Sequence, residues 1–329
     1  MLSSANVTIH ASQFPENVRR DLLASLCARR VNHKFLYDSV KQTQKWLALH
    51  QAHSPTRNDA DCQAIYEKSF AAAAAQIKSR RVHVIGLGCG GGQKDTRLLK
   101  WLKHRGQEVF YTPCDASLAM VLTARQTALA VVPEKNCLPF VCDLASADDL
   151  HKILVTHHPS LVTFFGMIPN FEPEQILPKL ASLVRPEDLL LLSANLAPGE
   201  NYAAGMKKIL PQYDNPLTRA WLMMFLSDLG IERRDGDLRF AIENSRCGLK
   251  RVAANFYFHR PHRVEIGNEV LHFRAGEAIR LFFSYRYTPE RVCRILTAHG
   301  LKVRERWIAK SQEEGVFLVY RGGASEERH

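Results

Sequence analysis

The sequence lacks the features that mark several large classes of protein. Its eight cysteines include no CxxC pair, so we expect no zinc site. No apolar run reaches the length of a membrane span, and the first twenty residues have no apolar segment of the signal-peptide type. The basic residues are scattered, without the basic and aromatic pattern of an RNA-binding module. We therefore expect a reduced, cytoplasmic protein with no membrane, metal or nucleic-acid partner, as a monomer or weak dimer.

The composition that is present is ordinary for a globular protein. The 329 residues are 46% hydrophobic and 23% charged, which allows one large domain or two modest ones. A formal net charge of +11 permits attraction to an acidic partner. Because the basic residues form no long run, a solvated basic surface is the simpler interpretation.

Between residues 82 and 195, apolar strands alternate with amphipathic helices. Continuous apolar strands in such an alternation predict an α/β fold with a parallel sheet covered on both faces. The residues before 81 are mostly helical in pattern. We expect strands at 82–86, 108–113, 138–142, 161–165 and 189–195, with helices at 94–104, 118–130, 147–156 and 173–183.

Residues 197–287 interrupt this alternation with an α+β insertion. Two helical stretches come first, and RVEIGNEVLHF then predicts a hairpin with Gly267 and Asn268 at its turn. The alternation resumes with a helix at 288–299, and the segments GLKVRERWIAK and GVFLVYRG predict two late strands. A late antiparallel pair is typical of the class I methyltransferases, which is an analogy of fold alone.

The segment VHVIGLGCGGGQKDTRLL joins the first of these strands to a helix through a glycine loop. Gly86, Gly88 and Gly91 have the spacing of a dinucleotide-binding loop, so NAD remains possible. Gly92 and Gln93 stand where a phosphate-binding loop of the GxxxxGK[ST] type needs its lysine and hydroxyl. Glycines also let a backbone approach a ligand that carries no phosphate, such as a sulfonium.

Two acidic residues follow the next two strands. Asp115, in YTPCDAS, stands where a carboxylate can accept hydrogen bonds from a ribose diol, as both NAD and S-adenosylmethionine require. Asp143, in VCDLAS, suits the adenine amino group of S-adenosylmethionine. Either residue alone could be a helix cap or a loop acid. Their order after the glycine loop favours S-adenosylmethionine.

The order of these motifs resembles that of the ergothioneine-pathway histidine Nα-methyltransferases. The matching segments are KFLYDS, SPTR, GLGCGGGQKDTRLL, PCDAS, CDLAS, FFGMIPNF, QYDN and GEAIRLFFSYRY. The resemblance spans residues 30–321 and implies S-adenosylmethionine as cofactor and an amino-acid amine as methyl acceptor. It implies a class I methyltransferase domain at 61–196 plus 288–322, and a tail at 323–329. A substrate domain at 1–60 plus 197–287 completes the chain, and in the family cofactor and substrate meet between the two domains.

The resemblance also implies which residues bind the cofactor. The family loop corresponds to Gly86 through Thr96, where this chain has an extra glycine and KDT in place of KT. Asp115 corresponds to the ribose-binding acid and Asp143 to the acid beside the adenine. The cofactor-binding residues implied in this way are Gly86, Gly88, Gly90, Lys94, Asp115, Ala116, Asp143, Leu144 and Gly166.

The same resemblance implies a clamp for the amino-acid backbone of the substrate. Asn170 corresponds to the asparagine that orients the amine, and Tyr213 to a tyrosine that contacts the substrate backbone. Both are therefore assigned to catalysis and to substrate binding. Tyr37 corresponds to a third clamp residue, and Arg57 offers further support. A turn residue at 170 and a packing residue at 213 are the plainer alternatives.

The pocket for the substrate side chain departs from the family pattern. Phe282 replaces the imidazole-binding glutamate two positions before Ser284, which is retained. His53 and Ala254 replace a tyrosine and a methionine of that pocket. Because a phenylalanine cannot bond an imidazole, we expect an aromatic, apolar or larger amino acid rather than histidine. Three alternatives stay open: a histidine enzyme whose acid is another residue such as Glu277, an NAD(P)-dependent oxidoreductase, and a non-catalytic cofactor-binding or RNA-associated protein.

Overall fold

The predicted apolar strands form one sheet in the computed structural model, which describes residues 5–54, 58–154, 156–245 and 248–322. Eight of the described strands lie in the order β1-β4-β3-β2-β5-β6-β13-β12. The first six are parallel to their neighbours, whereas β13 runs antiparallel to both β6 and β12. The strands are β1 (Thr8–Ile9), β2 (Arg81–Leu87), β3 (Glu108–Asp115), β4 (Phe140–Val141), β5 (Ser160–Phe165), β6 (Leu189–Asn195), β12 (Leu301–Ile308) and β13 (Glu314–Arg321).

Helices pack on this sheet through a common apolar core. The sheet and its helices form one compact unit, Met1–Ser12, Pro55–Leu196 and Tyr287–His329. Tyr66, Phe70 and Leu98 from the helices are fully buried together with Val84 and Leu191 from the strands. The helices of this unit are α3 (Ala60–Gln76), α4 (Gln93–His104), α5 (Leu118–Ala128), α6 (Leu150–Ile153), α7 (Pro173–Leu183) and α10 (Pro289–Thr297).

The second unit, Gln13–Ser54 and Ala197–Arg286, contains the α+β insertion. Its three-stranded antiparallel sheet has the order β11-β8-β7, and a separate hairpin joins β9 to β10. Leu36, Trp221 and Phe256 belong to its core. Its elements are α1 (Pro15–Cys27), α2 (Val40–His53), α8 (Tyr202–Tyr213), α9 (Pro216–Asp228), β7 (Gly236–Asn244), β8 (Lys250–Phe258), β9 (His262–Ile266), β10 (Glu269–Phe273) and β11 (Ala278–Arg286).

The predicted α/β class, the late antiparallel strands and the Gly267–Asn268 hairpin are confirmed. Residues 5–12 lie with the large sheet rather than with the insertion, because β1 pairs with β4 at the sheet edge. The strand expected at 138–142 is shorter and corresponds to β4. The helix expected at 147–156 is likewise shorter and corresponds to α6. A turn fixed by side-chain hydrogen bonds lies between them. None of the helices in the described ranges has the length and apolar character needed to span a bilayer.

Candidate functional site

The glycine loop between β2 and α4 depends on backbone conformations that favour glycine. Gly88, Gly90 and Gly92 have φ angles of 64°, 51° and 74°, all in the left-handed region. A Cβ atom at Gly88 would lie 2.5 Å from the Met167 side chain, and one at Gly92 would lie 2.7 Å from Cα of Ala124. The loop therefore has both a conformational and a steric need for its glycines.

Asp115 is the last residue of β3 and holds this loop from the neighbouring strand. One carboxylate oxygen accepts the Gly90 N–H at 3.2 Å, and the other accepts the Ser117 N–H at 3.0 Å. Burial raises the pKa of the Asp115 carboxyl, and hydrogen bonds from Ser117, Gly90 and Ala116 oppose the rise. A carboxylate offers about four lone-pair sites. With these three donors in place, about one acceptor site remains for a hydroxyl of a ribose.

Asp143 fixes the turn that follows β4. Its buried carboxylate accepts the Ala145 N–H and the Ser146 hydroxyl, each at 2.9 Å. Lys179 adds a hydrogen bond from its ammonium group to the Leu144 carbonyl at 3.2 Å. Asp143 therefore stabilises the turn, as the plainer interpretation of a loop acid expects. Its contact with the adenine stays a prediction.

Asp95, in the first turn of α4, is an acid that the sequence interpretation missed. Its buried carboxylate accepts hydroxyl hydrogen bonds from Tyr111 and Thr163, each at 2.7 Å. Burial raises the pKa of Asp95 to about 6. A Cβ atom on Gly86 would overlap this carboxylate, which explains the glycine there. The KDT sequence at the start of the helix was the available signal.

The acids around the loop bear on the charge of its ligand. Asp95 and Asp115 lie directly against loop glycines and are both buried or nearly so. Asp115 does not separate the two cofactors, since a dinucleotide also needs a ribose-binding acid, but the second carboxylate, of Asp95, adds negative charge that opposes a pyrophosphate and favours a cationic ligand such as a sulfonium. The loop therefore suits S-adenosylmethionine better than a dinucleotide.

The Lys94 side chain interacts with a residue outside the glycine loop. Its ammonium group donates to the Tyr66 hydroxyl at 2.9 Å and lies 4.5 Å from the centre of that ring. Tyr66 in turn donates to the buried Glu314 carboxylate at 2.6 Å. Burial lowers the pKa of Lys94. The structure thus gives this lysine a partner on α3, and its contact with the cofactor stays a prediction.

Asn170 lies in a short 3-10 turn immediately after β5. Its N–H donates to the Met167 carbonyl at 2.9 Å, and Met167 is the residue that packs against Gly88. The buried Tyr287 donates to the carbonyl of Ile168 at 3.3 Å and so fixes the same turn. In the part of the chain that the structure describes, the Asn170 amide has no hydrogen-bond partner. The asparagine is therefore held near the glycine loop with its side chain available.

Gly166 follows directly after the last residue of β5 and precedes the turn that contains Asn170. Its φ of 70° is left-handed, and its N–H donates to the Ser193 hydroxyl at 2.9 Å. No atom lies within 4 Å of a Cβ atom placed on it. Its backbone conformation, rather than crowding, accounts for the glycine.

In the second unit, Tyr213, Ser284 and Arg286 form one hydrogen-bonded cluster. The Tyr213 hydroxyl donates to Oγ of Ser284 at 2.9 Å and accepts from Nε of Arg286 at 3.0 Å. Ser284 and Arg286 are buried and lie two positions apart on β11, so they face the same side of the strand. The cluster presents a hydroxyl polarised by a guanidinium.

Phe282 lies two positions before Ser284 and therefore on the same face. It pairs across the strands with Ala254 of β8, so the two substituted pocket positions are direct neighbours. Its ring lies 6.1 Å from the Tyr213 ring and 5.7 Å from the Trp221 ring. A large side chain at 282 faces a small one at 254, and the result is an aromatic wall.

The comparison with protein families covers nearly the whole chain. Residues 18–321 match the family described as "Histidine-specific methyltransferase, SAM-dependent". The chain belongs to this family. It is accordingly an S-adenosylmethionine-dependent methyltransferase, and an oxidoreductase or a non-catalytic protein is not favoured.

Individual relatives are distant. The chain is 27% identical over 255 residues to "N-methyltransferase imqF" of Aspergillus flavus, which covers 74% of this chain and 69% of that protein. It is 25% identical over 318 residues to the histidine N-alpha-methyltransferase of Mycobacterium tuberculosis, covering 92% and 94%. A solved magnesium protoporphyrin IX methyltransferase from Synechocystis is 14% identical, covers 86% of this chain and 95% of its own, and gives a TM-score of 0.47.

Three further positions are those for which the resemblance implies contact with the substrate. Tyr37 ends a 3-10 turn, and its ring contacts those of Trp46 and Trp221 at 5.8 and 5.5 Å. His53 is the last residue of α2 and is exposed. Arg57 lies outside the described residues. Tyr37 thus belongs to the aromatic surroundings of Phe282 through Trp221.

Glu277 does not replace the acid that the histidine enzymes use. One of its carboxylate oxygens accepts from Nε of Arg29 at 2.8 Å, and the other accepts the Arg274 N–H at 2.8 Å. These partners lower the pKa of the Glu277 carboxyl. Because it precedes β11 and is already paired, it does not supply an acid beside Phe282.

Proposed function

We propose that this methyltransferase methylates the amino group of a free amino acid or amino-acid derivative other than histidine. The exclusion of histidine rests on Phe282, because the family's imidazole-binding acid is absent at that position. The small-molecule substrate is then recognised by a backbone clamp like that of the family and by a different side-chain pocket.

S-adenosylmethionine supplies a methyl group already activated by its sulfonium. Gly88, Gly90 and Gly92 would allow the loop backbone to approach the cofactor closely, and Asp115 and Asp143 would accept hydrogen bonds from its ribose and adenine. The fit rests on the left-handed loop glycines and on the position of Asp115, whose carboxylate already holds the Gly90 N–H of the loop.

Asn170 would orient the amine that receives the methyl group. Its amide oxygen can accept an N–H of the substrate, which leaves the nitrogen lone pair free to point at the methyl carbon. The substrate amine reaches this site as the neutral base after losing its proton to water, so no strong general base is required. The free side-chain amide and the fixed turn support this role.

Tyr213 would contact the amino or carboxylate end of the substrate. The hydrogen bond from Arg286 makes the Tyr213 hydroxyl a better donor, and Ser284 holds the hydroxyl proton until a substrate oxygen competes for it. Tyr37 would add a second aromatic contact on this clamp. Such a cluster can bind a substrate carboxylate through the Tyr213 hydroxyl, and it needs no ion pair formed beforehand.

The test is mass spectrometry of amino acids after incubation with S-adenosylmethionine. We expect a mass increase of about 14 Da or a multiple of it on one or a few amino acids other than histidine. Asn170→Ala should lower methyl transfer far more than S-adenosylhomocysteine affinity measured by calorimetry. Efficient trimethylation of histidine would overturn the reading of Phe282, and equal losses of turnover and affinity would remove Asn170 from the amine site.

A further inference from the structure

His33 lies beside the pocket position that distinguishes this chain from the histidine enzymes. Residues 29–31 run along the edge of β11, where the Val31 N–H donates to the Arg280 carbonyl at 2.9 Å. His33 then begins a 3-10 turn, and its ring packs edge-on against Phe282 at 5.4 Å and Phe283 at 5.0 Å. All these residues belong to the second unit.

The His33 imidazole is polar, buried and unused. Both ring nitrogens are buried, and neither has a hydrogen-bond partner within the described ranges. Burial lowers the pKa of His33 to about 3, with a smaller contribution from Arg280. The ring is therefore neutral and carries one donor and one acceptor. Leaving such a group unpaired costs about 1–3 kcal/mol, so it calls for an explanation.

A contrast within the same chain shows that this arrangement is not general. His83 is also buried, and burial lowers its pKa to about 4. Its Nε2 nevertheless forms a 2.8 Å hydrogen bond with Oγ1 of Thr112. A buried histidine that serves packing alone is thus given a partner here, whereas His33 is not.

The surroundings of His33 define what its nitrogens can bind. Phe282, which His33 contacts, is itself in contact with the rings of Tyr213 and Trp221. Arg280 stands close enough to disfavour a cation, and the neutral imidazole offers no charge to attract one. Such a site suits a neutral aromatic group that carries a hydrogen-bonding substituent.

We propose that His33 determines substrate specificity by hydrogen-bonding a polar substituent on an aromatic side chain of the amino-acid substrate, such as a ring hydroxyl or an indole N–H. The inference rests on the proposed function, since it names the substrate class of that same reaction. In this enzyme a neutral imidazole takes the recognition role that a carboxylate has in the histidine enzymes, and Phe282 becomes the wall against which the substrate ring packs.

The decisive experiment compares L-tyrosine and L-tryptophan with L-phenylalanine as methyl acceptors. A site built around a hydrogen-bonding group rejects an analogue that lacks its partner, because the buried group is left unpaired. One such bond corresponds to a preference of about 5- to 150-fold in kcat/KM. We expect wild-type enzyme to prefer tyrosine or tryptophan over phenylalanine by a factor in this range.

Variants at residue 33 assign the preference to the imidazole. His33→Leu should bring the ratio of the favoured amino acid to phenylalanine close to one, and His33→Gln should restore part of it. His50→Leu is the control, since His50 stacks on Trp46 at 4.9 Å in the same unit and should leave the ratio unchanged. Urea unfolding followed by tryptophan fluorescence shows which variants keep the second unit folded, because Trp46 and Trp221 lie in that unit.

Each outcome decides between the two proposals. A wild-type enzyme that methylates phenylalanine as well as tyrosine and tryptophan, or only non-aromatic amino acids, overturns the role of His33 and leaves the proposed function standing. A preference that survives in a folded His33→Leu variant does the same. If no amino acid is methylated, both proposals fall.

Discussion

Replacing Asp95 by asparagine should change how the stability of the protein depends on pH. The carboxyl of Asp95 is buried beside the glycine loop, and its pKa is raised from 3.8 to about 6. The folded state therefore holds this proton more tightly than the unfolded chain does. Stability from this group is complete below pH 3.8 and is lost as the pH rises through 6, because ionisation then opposes folding.

The size of the effect follows from the shift in pKa. A shift of about two units corresponds to about 3 kcal/mol between the fully protonated and fully ionised limits. With these two pKa values, about 2 kcal/mol of the change falls between pH 4.5 and 7.5. An asparagine cannot ionise, yet its amide retains an oxygen that can accept from Tyr111 or Thr163. The variant should therefore lack this pH-dependent loss.

Urea unfolding of wild type and Asp95→Asn at several pH values measures the difference. We expect the free energy of unfolding of the variant, minus that of wild type, to rise by about 2 kcal/mol from pH 4.5 to 7.5. Any loss from the altered hydrogen bonds adds a nearly constant offset and does not affect this slope. A difference that stays flat across the range would refute the burial of an ionised Asp95.

Two further substitutions test the cofactor loop. Gly92→Ala should lower the free energy of unfolding by about 2–4 kcal/mol, because it combines a left-handed φ with a clash against the Ala124 backbone. Gly106→Ala, with a φ of 79° and open space at its Cβ, should lose only about 1 kcal/mol in the same denaturation assay. Equal losses would remove the steric explanation. Asp115→Asn should weaken S-adenosylhomocysteine binding in calorimetry by about 10- to 100-fold, through loss of charged hydrogen bonds, and an unchanged affinity would contradict the ribose contact.

The sheet and the glycine loop could be predicted because their signals are local. An apolar strand that ends in glycines and is followed by an amphipathic helix specifies its own structure, as β2, the loop and α4 show. The strand predicted at 138–142 was too long. Asp143 accepts a hydrogen bond within the turn that follows, and β4 therefore ends at Val141. The pairing of Thr8 and Ile9 with β4 was not predicted, because nothing local marks a two-residue edge strand.

Asp95 and His33 were missed for a different physical reason. The partners of Asp95 are Tyr111 and Thr163 on two other strands, so its burial depends on sheet order. His33 meets Phe282 only because residues 29–31 run along the edge of β11. Neither contact leaves a periodic pattern in the sequence.

The positions of Asn170 and Phe282 in the fold explain how, under the proposed function, a family of this kind can change its substrate. Asn170 is fixed by a turn after β5, and its position depends on Met167 and Tyr287 rather than on the side-chain pocket. Phe282 lies instead on the small antiparallel sheet, opposite Ala254. A carboxylate there can therefore be exchanged for an aromatic ring without moving Asn170, which we propose orients the amine. The substitution leaves Ser284, two residues further on, in its hydrogen bond with Tyr213. Under the proposed function, recognition of the side chain can thus change while the residues proposed for methyl transfer are preserved.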